Sequence, residues 1–391
     1  ALFNVGDIKE TNGTYTSNKA NSGGALAIYY SGNIFMRIPG VYTDGDAKVV
    51  YENKIYEYTT VITESSYSSL KDEQKKGYTK IGYLYYKLAD KPVETLKEEK
   101  ENGLIISGGS KFIENVATSQ GGAIWNYGNI YLNGTYFDSN SAVQGGAIVN
   151  FGTAVLQEVT FENKKNKISA IGGYIINIDK MILLKSTIDK GMAYYSGGAI
   201  YNQATSLSIF NSSLENNQAG YYGGAIFNQK GSITLAETQF VKNSSIYGGA
   251  IYSKITQKVD TKKLEAILGN ENITSTKDTF KENKAYYGGA IYAMVIQALN
   301  EKGEAFVDKD KKEIPIKNET LTLSGTQFIK NTAQFHGGAI YTINFNIVGD
   351  NLNFNGNYAR LMGGAIVIAG EKDIAKIDSS TFNENNANML G

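Results

Sequence analysis

The sequence holds few side chains that are suited to acid–base or nucleophilic chemistry. Its 391 residues include one histidine, His336, no cysteine, and only two arginines, Arg37 and Arg360. His336 lies directly before a Gly-Gly pair, and Ser, Gln, Tyr or Met fill the same place before other such pairs. A position that accepts such different side chains is typical of a variable surface site. We therefore predict that His336 is not catalytic and that the chain carries no catalytic residue.

Charged side chains also recur two residues after a repeated apolar position. These residues are Glu114, Lys190, Lys242, Glu282, Lys330 and Glu384. Lys242, Glu282 and Lys330 would be neighbours on consecutive turns of a repeat structure. Such a cluster could serve acid–base catalysis, but alternating charges on exposed turns more simply form ion pairs worth about 0–1 kcal/mol each. The second interpretation is favoured.

Aromatic side chains are the strongest candidates for binding. A strip of them precedes the Gly-Gly pairs: Tyr194, Tyr195, Tyr221, Tyr222, Tyr247, Tyr286, Tyr287, Phe335 and His336. Tyrosine supplies large contact area with little loss of conformational entropy, so this strip could bind a ligand. Simple stacking of like rings along the molecule explains it at least as well. Both interpretations stay open.

A second aromatic column follows the Gly-Gly pairs. It consists of Trp125, Tyr201, Phe227, Tyr252, Tyr292 and Tyr341. Strand alternation points this column outward if the preceding isoleucine points inward. Its uniform apolarity is equally typical of a core, so the sequence leaves its environment open.

Composition excludes several other functions. The 38 Lys and Arg balance the 38 Asp and Glu, whereas a nucleic-acid-binding protein needs a basic surface. The absence of cysteine removes thiolate metal sites, and the Gly- and Asp-rich nonapeptide of calcium-binding β-rolls is missing. We expect no cofactor, no metal and no nucleic-acid partner. The chain also shows neither a signal peptide nor an apolar run of membrane-spanning length.

An internal repeat organises these positions. Gly-Gly pairs begin at Gly121, Gly145, Gly172, Gly197, Gly223 and Gly248, at intervals of 24 to 27 residues. A Phe-x-x-Asn element precedes nearly every pair by eight or nine residues, as at Phe112 and Asn115. Short β-prone runs such as "SLSIF" alternate with Gly and Asn, which favours strands over helices. A unit of about 25 residues suffices for one three-sided coil.

The sequence therefore predicts an all-β protein, a right-handed parallel β-helix of about eleven rungs. In such a coil, Gly-Gly permits φ > 0 and close stacking of rungs. Phe and the Ile of GGAI form internal columns. Asn tolerates the left-handed conformation and can hydrogen-bond the backbone of its own turn, and stacked copies can bond to one another in a ladder.

Three stretches interrupt the period. We place these inserts at about 37–102, 254–273 and 293–318, and the first has strand-like runs that predict a small subdomain. The rest of residues 1–391 is expected to form a single β-helix domain. Both ends match the inside of a repeat, so we expect the chain to be a fragment of a longer solenoid. Inserts in solenoids often carry binding, although tolerated decoration is an equal alternative.

The paired motifs GGA[ILV] and FxxN resemble the repeats of the polymorphic outer-membrane protein family of chlamydiae over nearly all of the chain outside the inserts. The resemblance implies an autotransporter passenger on the outer membrane, folded as a β-helix and used in cell adhesion. Its membrane attachment would be a C-terminal barrel or another anchor that this chain lacks. Expected partners are a protein or glycan receptor on another host or neighbouring cell, or other copies of the chain.

We therefore expect a non-enzymatic, extracellular adhesin that binds through the aromatic strip or the first insert. The alternative is a structural, self-assembling surface scaffold. A polysaccharide-degrading β-helix enzyme is the least favoured class, because such enzymes need clustered carboxylates, or carboxylates with Arg or Lys, in a cleft.

Overall fold

The short apolar runs of each repeat form three strands, and the paired glycines start the next turn of the coil. A computed structural model of the chain shows eleven such turns, which we number as rungs 1 to 11. The prediction of a parallel β-helix of about eleven rungs is confirmed. The structure describes residues 2–4, 8–28, 48–51, 54–63, 67–68, 70–81, 84–92, 94–95, 104–204, 206–257, 259–260, 265–266, 271–297, 299, 305–307, 311–314, 316–370 and 373–391.

Three parallel sheets of eleven strands each, with one strand from every rung, run the length of the coil. Sheet 1 follows the glycine pairs: Leu2–Asn4, Leu26–Ile28, Ile124–Asn126, Ile148–Asn150, Ile175–Asn177, Ile200–Asn202, Ile226–Asn228, Ile251–Gln257, Ile291–Gln297, Ile340–Ile343 and Ile366–Ile368. Sheet 2 comes next: Ile8–Thr11, Leu104–Ser107, Ile130–Asn133, Thr153–Gln157, Lys180–Leu184, Ser206–Phe210, Ser232–Ala236, Ile273–Thr276, Glu319–Ser324, Phe345–Asp350 and Ala375–Asp378.

Sheet 3 carries the Phe-x-x-Asn element: Thr14–Thr16, Lys111–Ile113, Tyr136–Asp138, Thr160–Glu162, Thr187–Asp189, Ser213–Glu215, Gln239–Val241, Thr279–Lys281, Gln327–Ile329, Asn353–Asn355 and Thr381–Asn383. Between sheet 3 and the next glycine pair lies a less regular fourth side. Its strands are Lys19–Ser22, Val116–Gln120, Ser169–Ile171, Met192–Ser196, Gln218–Ala219, Lys284–Tyr287, Thr332–His336, Tyr358–Ala359 and Asn386–Ala387.

The described part of the first insert contains a five-stranded antiparallel sheet and the short helix Asp72–Lys75. Its strands are Lys48–Tyr51, Lys54–Thr63, Tyr78–Ile81, Leu84–Leu88 and Glu94–Thr95. A small hairpin, Val259–Asp260 with Glu265–Ala266, belongs to the second insert.

All three inserts leave the coil at the same corner, between sheet 1 and sheet 2. The first departs after Leu26–Ile28 and returns at Leu104–Ser107, while Leu26 still pairs directly with Ile124 of the next rung. In rungs 8 and 9 the sheet 1 strands extend to Gln257 and Gln297 and stay paired over that length. The inserts therefore leave the register of the rungs unbroken.

The first and the second glycine of each pair have different structural roles. The first glycine of each pair has a positive φ, as at Gly223 with φ 61°. The second has a negative φ but no room for a side chain, since a Cβ on Gly224 would lie 2.1 Å from the carbonyl oxygen of Gly249 in the next rung. Close contact between rungs therefore excludes every other residue type at the second position.

Side chains stack in columns inside the coil. The Phe column has centroid separations of 4.7 to 5.1 Å and nearly parallel rings, as between Phe240 and Phe280 at 4.8 Å. The rings from Phe112 to Phe354 are fully buried together with the first isoleucines of the sheet 1 strands from Ile124 to Ile340, whereas Phe382 in rung 11 is 52% exposed. The predicted aromatic and aliphatic columns are confirmed.

The predicted asparagine ladder is also present. Asn217, Asn243, Asn283, Asn331 and Asn357 each donate from Nδ2 to the Oδ1 of the next asparagine, over 2.8 to 3.0 Å. These asparagines do not adopt the left-handed conformation. It belongs to the preceding residue, such as Lys242 with φ 55° and Glu282 with φ 55°. The turn thus leaves the asparagine side chain pointing inward along the rod.

A second asparagine ladder lies on sheet 1 and was missed from the sequence. Asn126, Asn150, Asn177, Asn202 and Asn228 are buried and bonded in series over 2.7 to 2.9 Å. The signal was the recurring Asn two residues after the GGAI isoleucine.

The described residues include two buried carboxyl groups, Glu319 in sheet 2 and Asp278 before sheet 3. Asp278 is fully buried, accepts hydrogen bonds from the Ser275 hydroxyl at 2.6 Å and from the Thr238 N–H at 2.7 Å, and occupies the place of Thr238 and Thr326 on the neighbouring rungs. Burial raises the pKa of Asp278 from 3.8 to about 7, although these hydrogen bonds act in the opposite direction.

Part of the outer surface of sheet 2 is buried as well. Val155, Ile182 and Phe210 alternate with core residues and so point outward, yet they are almost inaccessible to solvent. A layer of protein must cover them. The first insert leaves the rod at the adjacent corner, and we expect it to supply this cover.

Gly224→Ala should destabilise the rod severely. Its Cβ would meet backbone atoms of the next rung at 2.1 and 2.5 Å, so we expect a loss above about 3 kcal/mol, beyond ordinary overpacking. Gly134→Ala is the matched control, because its φ is 60° but its nearest neighbour is 3.6 Å away, which predicts a loss of about 1–2 kcal/mol. Urea unfolding measures both, and equal losses would contradict the role of close rung contact.

Asp278→Asn should reduce the pH dependence of stability. Between pH 3.8 and about 7 the Asp278 carboxyl is ionised in the unfolded chain and protonated in the folded chain. The free energy of unfolding therefore falls as pH rises through this range and is constant above it. At about 1.4 kcal/mol per pKa unit the full effect is at most about 4 kcal/mol. Asparagine, like the protonated aspartic acid, is uncharged, and it does not titrate in this pH range. Urea unfolding at pH 4.5 and 8 should show a larger difference for the wild type than for the variant, and identical differences would contradict this account.

Deleting residues 37–102 should expose the outer face of sheet 2. We expect strong binding of the hydrophobic dye ANS by the deletion variant and little by the wild type. Adding Val155→Ser and Ile182→Ser to the deletion should lower the dye signal again. An unchanged signal on deletion would show that another part of the chain covers this face.

Candidate functional site

The predicted aromatic strip lies on the fourth side of the rod and crosses rungs 5 to 9. Its members come together as a continuous chain of ring contacts from Tyr194 to His336. Within it, Tyr222, Tyr247 and Tyr287 stack almost face to face at 5.4 Å. The faces of these inner rings are occupied by their neighbours, so they present mainly edges and hydroxyl groups to solvent.

The second aromatic column lies beside this strip. Tyr201, Phe227, Tyr252, Tyr292 and Tyr341 stack at 4.9 to 5.5 Å. They point out of sheet 1, away from the main core, and the inner tyrosines of the strip cover them, as Tyr222 covers Tyr252 at 4.8 Å. The column is therefore outside the coil and still largely buried. Trp125 is not part of this cluster and contacts Tyr127 and Phe151 instead.

Four tyrosines of the strip remain open to solvent. Tyr194, Tyr195, Tyr221 and Tyr286 are 60%, 51%, 42% and 43% exposed. Tyr195 and Tyr221 lie on adjacent rungs, and Tyr286 stacks on Phe335 at 5.5 Å. The strip thus has an inner layer that supports the second column and an outer layer that is accessible.

His336 belongs to this aromatic surface. Its ring centroid is 5.5 Å from that of Tyr287 and 6.2 Å from that of Tyr341. Within the part of the chain that the structure describes, Nδ1 of His336 is buried and has no hydrogen-bond partner. A catalytic base needs a partner that orients the imidazole, and no such arrangement is found among these residues.

The charged residues that lie two positions after the repeated apolar residue of sheet 3 are in turns. Each has a left-handed backbone, with φ between 52° and 58° from Glu114 to Glu384. Lys242 pairs with Glu282 across one rung at 3.9 Å, with both side chains substantially exposed. This contact fits the favoured interpretation of weak surface ion pairs. Asp278 has the raised pKa that is typical of some catalytic acids, but it is enclosed in the core and cannot reach a substrate.

A cleft at the N-terminal end of the strip was missed from the sequence. It crosses rungs 2 to 5 on the fourth side, has a volume of about 550 Å³, and is walled by Val143, Ile168 and Tyr194. Val143 and Ile168 are 54% and 57% exposed. The only signal was the irregular repeat around Phe161, whose long connection "NKKNKIS" places Ile168 beside rung 3.

Two absences hold for the described residues. No group of three or more His, Asp or Glu side chains there is arranged to hold a metal ion. The same residues include no helix that is both long and apolar enough to cross a membrane.

Comparison with known families identifies the repeat. The Chlamydia polymorphic membrane protein repeat matches residues 109–127, 211–229, 279–294 and 325–343. Each match runs from the sheet 3 region of one rung through the glycine pair into sheet 1 of the next. Neither the curated proteins nor the solved structures gave a match. Four segments of the chain therefore match the Chlamydia polymorphic membrane protein repeat, which supports a relationship to that type of family.

Proposed function

We propose that this protein is a cell-surface adhesin whose β-helix binds a receptor on host or neighbouring cells. The repeat family supports a surface-exposed, adhesin-like protein associated with the outer membrane in general terms. The attachment of the chain, as the passenger of an autotransporter, is part of the proposal. The aromatic surface of the fourth side is the observation that favours binding.

The outer layer of the strip has the properties of a recognition surface. Tyr194, Tyr195, Tyr221 and Tyr286 are accessible, and the stacked inner rings and the rungs beneath fix their positions. Rigid tyrosines offer apolar area and a hydroxyl group at small entropic cost. A ligand would therefore meet a surface whose order is established before binding.

We propose no enzymatic activity. Proteins with this repeat and this fold are generally surface proteins without catalysis. The enclosure of Asp278 and the aromatic environment of His336 support the same conclusion for this chain.

Replacing the outer tyrosines together should abolish adhesion and preserve the fold. Beads coated with the purified chain would be incubated with cultured epithelial cells and counted by microscopy. We expect at least a tenfold loss for the variant with serine at positions 194, 195, 221 and 286, because the inner stack is untouched. The control is Val348→Ser with Ile374→Ser, two exposed apolar residues of the sheet 2 region. Circular dichroism checks the fold of each variant.

Two outcomes would contradict the proposal. If wild-type beads bind no cells and the chain instead forms concentration-dependent assemblies in sedimentation, the protein is a self-assembling surface scaffold. If the serine variant binds cells as well as the wild type does, the aromatic surface is not the contact, and the first insert becomes the binding region.

A further inference from the structure

We propose that the cleft beside Tyr194 binds a neutral oligosaccharide. This inference rests on the proposed adhesin function, since it names a ligand class for the same side of the rod. It also moves the binding site from the middle of the aromatic strip to its N-terminal end.

Ring orientation is the first argument. A sugar ring packs its C–H face on the open face of an aromatic ring, and the stacked faces of Tyr222, Tyr247 and Tyr287 are occupied. Tyr194 differs, because its ring stands at 81° to that of Tyr195 and it lines the cleft with 60% of its surface exposed. Tyr194 therefore combines an accessible ring with a concave site.

The composition of the cleft is the second argument. Its floor consists of small residues, including Ala117 and Ala142, and its polar groups include the hydroxyls of Thr118 and Ser141. None of the lining side chains is charged at neutral pH. Apolar walls with a few hydroxyl groups complement a neutral ligand that has alternating C–H faces and hydroxyls, and they offer no cation to a carboxylate or phosphate.

Thr118 adds a polar edge to this surface. Its hydroxyl donates to Oδ1 of Asn21 at 2.9 Å, and both side chains are exposed. The threonine oxygen can still accept a hydrogen bond, and the Asn21 amide can donate one. Hydroxyl groups of a sugar could use both.

The rigidity of the cleft wall is the third argument. The connection that carries Ile168 is held on rungs 2 and 3, because Lys165 pairs with Glu114 of rung 2 at 2.7 Å and its N–H donates to the Ser139 hydroxyl of rung 3 at 3.0 Å. Lys164 pairs with Glu162 at 3.0 Å. These partners lie beside the charges of Lys164 and Lys165 and fix the start of the connection. A site fixed in this way requires little rearrangement when a ligand binds.

The size of the cleft favours a short chain of sugars. The site is a groove of about 550 Å³ that is open to solvent rather than an enclosed pocket. The cleft crosses several rungs along the rod, which suits an extended oligosaccharide rather than one compact metabolite.

Saturation-transfer NMR and calorimetry on the intact chain test this proposal. The probes are lacto-N-neotetraose, cellotetraose and mannotriose, with 3′-sialyllactose as the anionic comparison. We expect at least one neutral probe to bind, and Tyr194→Ala to weaken its affinity at least tenfold. Tyr194→Phe should retain most of the affinity because the ring remains. Tyr127→Ala, at an exposed tyrosine outside both the strip and the cleft, is the matched control and should have no effect.

Several results would overturn the assignment. Absence of binding by every neutral probe at millimolar concentration, stronger binding of 3′-sialyllactose, or equal affinity of Tyr194→Ala and wild type would each do so. Ile168→Ser gives a second test of the wall, with circular dichroism as the check on folding. Cell adhesion that persists without glycan binding contradicts the glycan assignment alone. Glycan binding without cell adhesion contradicts the adhesin function alone.

Discussion

The contact between successive glycine pairs determines how closely the rungs approach. From Gly24 to Gly338, a Cβ on the second glycine would lie 1.9 to 2.2 Å from a carbonyl oxygen of the next rung. Backbone thus packs directly on backbone at one corner of the coil. This approach fixes a common spacing for the other sides, where Phe rings stack at 4.7 to 5.1 Å and asparagine amides meet at 2.8 to 3.0 Å. Side chains that do not fit this spacing have no place inside.

The two asparagine ladders compensate for one another along the rod. The ladder next to sheet 3 is interrupted in rungs 4 and 5, where Asn163 bonds to backbone carbonyls and Gly191 replaces the asparagine. The sheet 1 ladder is continuous from Asn126 to Asn228, across this gap. In rungs 9 and 10, where Ala293 and Thr342 replace its asparagines, the first ladder is complete. Buried amides therefore connect every pair of neighbouring rungs from rung 1 to rung 11, which keeps their register specific.

Repetition explains which features could be predicted from the sequence. The rung number, the strand order and the Phe column depend on residues that recur at a fixed interval, so each copy confirms the others. The left-handed turn residue could not be identified from the sequence, because this position is Glu in Glu114, Ser in Ser139 and Lys in Lys190 and Lys242. The environment of Tyr252 could not be predicted, since it depends on Tyr222, a residue 30 positions away. Likewise the cleft depends on the path of a single irregular connection, and periodicity carries no information about that path.

The fixed spacing of the rungs also determines where function can vary in such a protein. Inward positions are constrained by the spacing of the rungs, and a change in one of them affects both neighbours. Outward positions and connections lack this constraint. The departures from regularity are the three inserts at one corner, the aromatic layer of rungs 5 to 9, and the connection after Asn163 that forms the cleft wall. The inserts return to the rod without disturbing its pairing, and the connection is secured by surface ion pairs rather than by the core. Binding specificity can therefore change at each of these places while the stability of the rod stays almost the same.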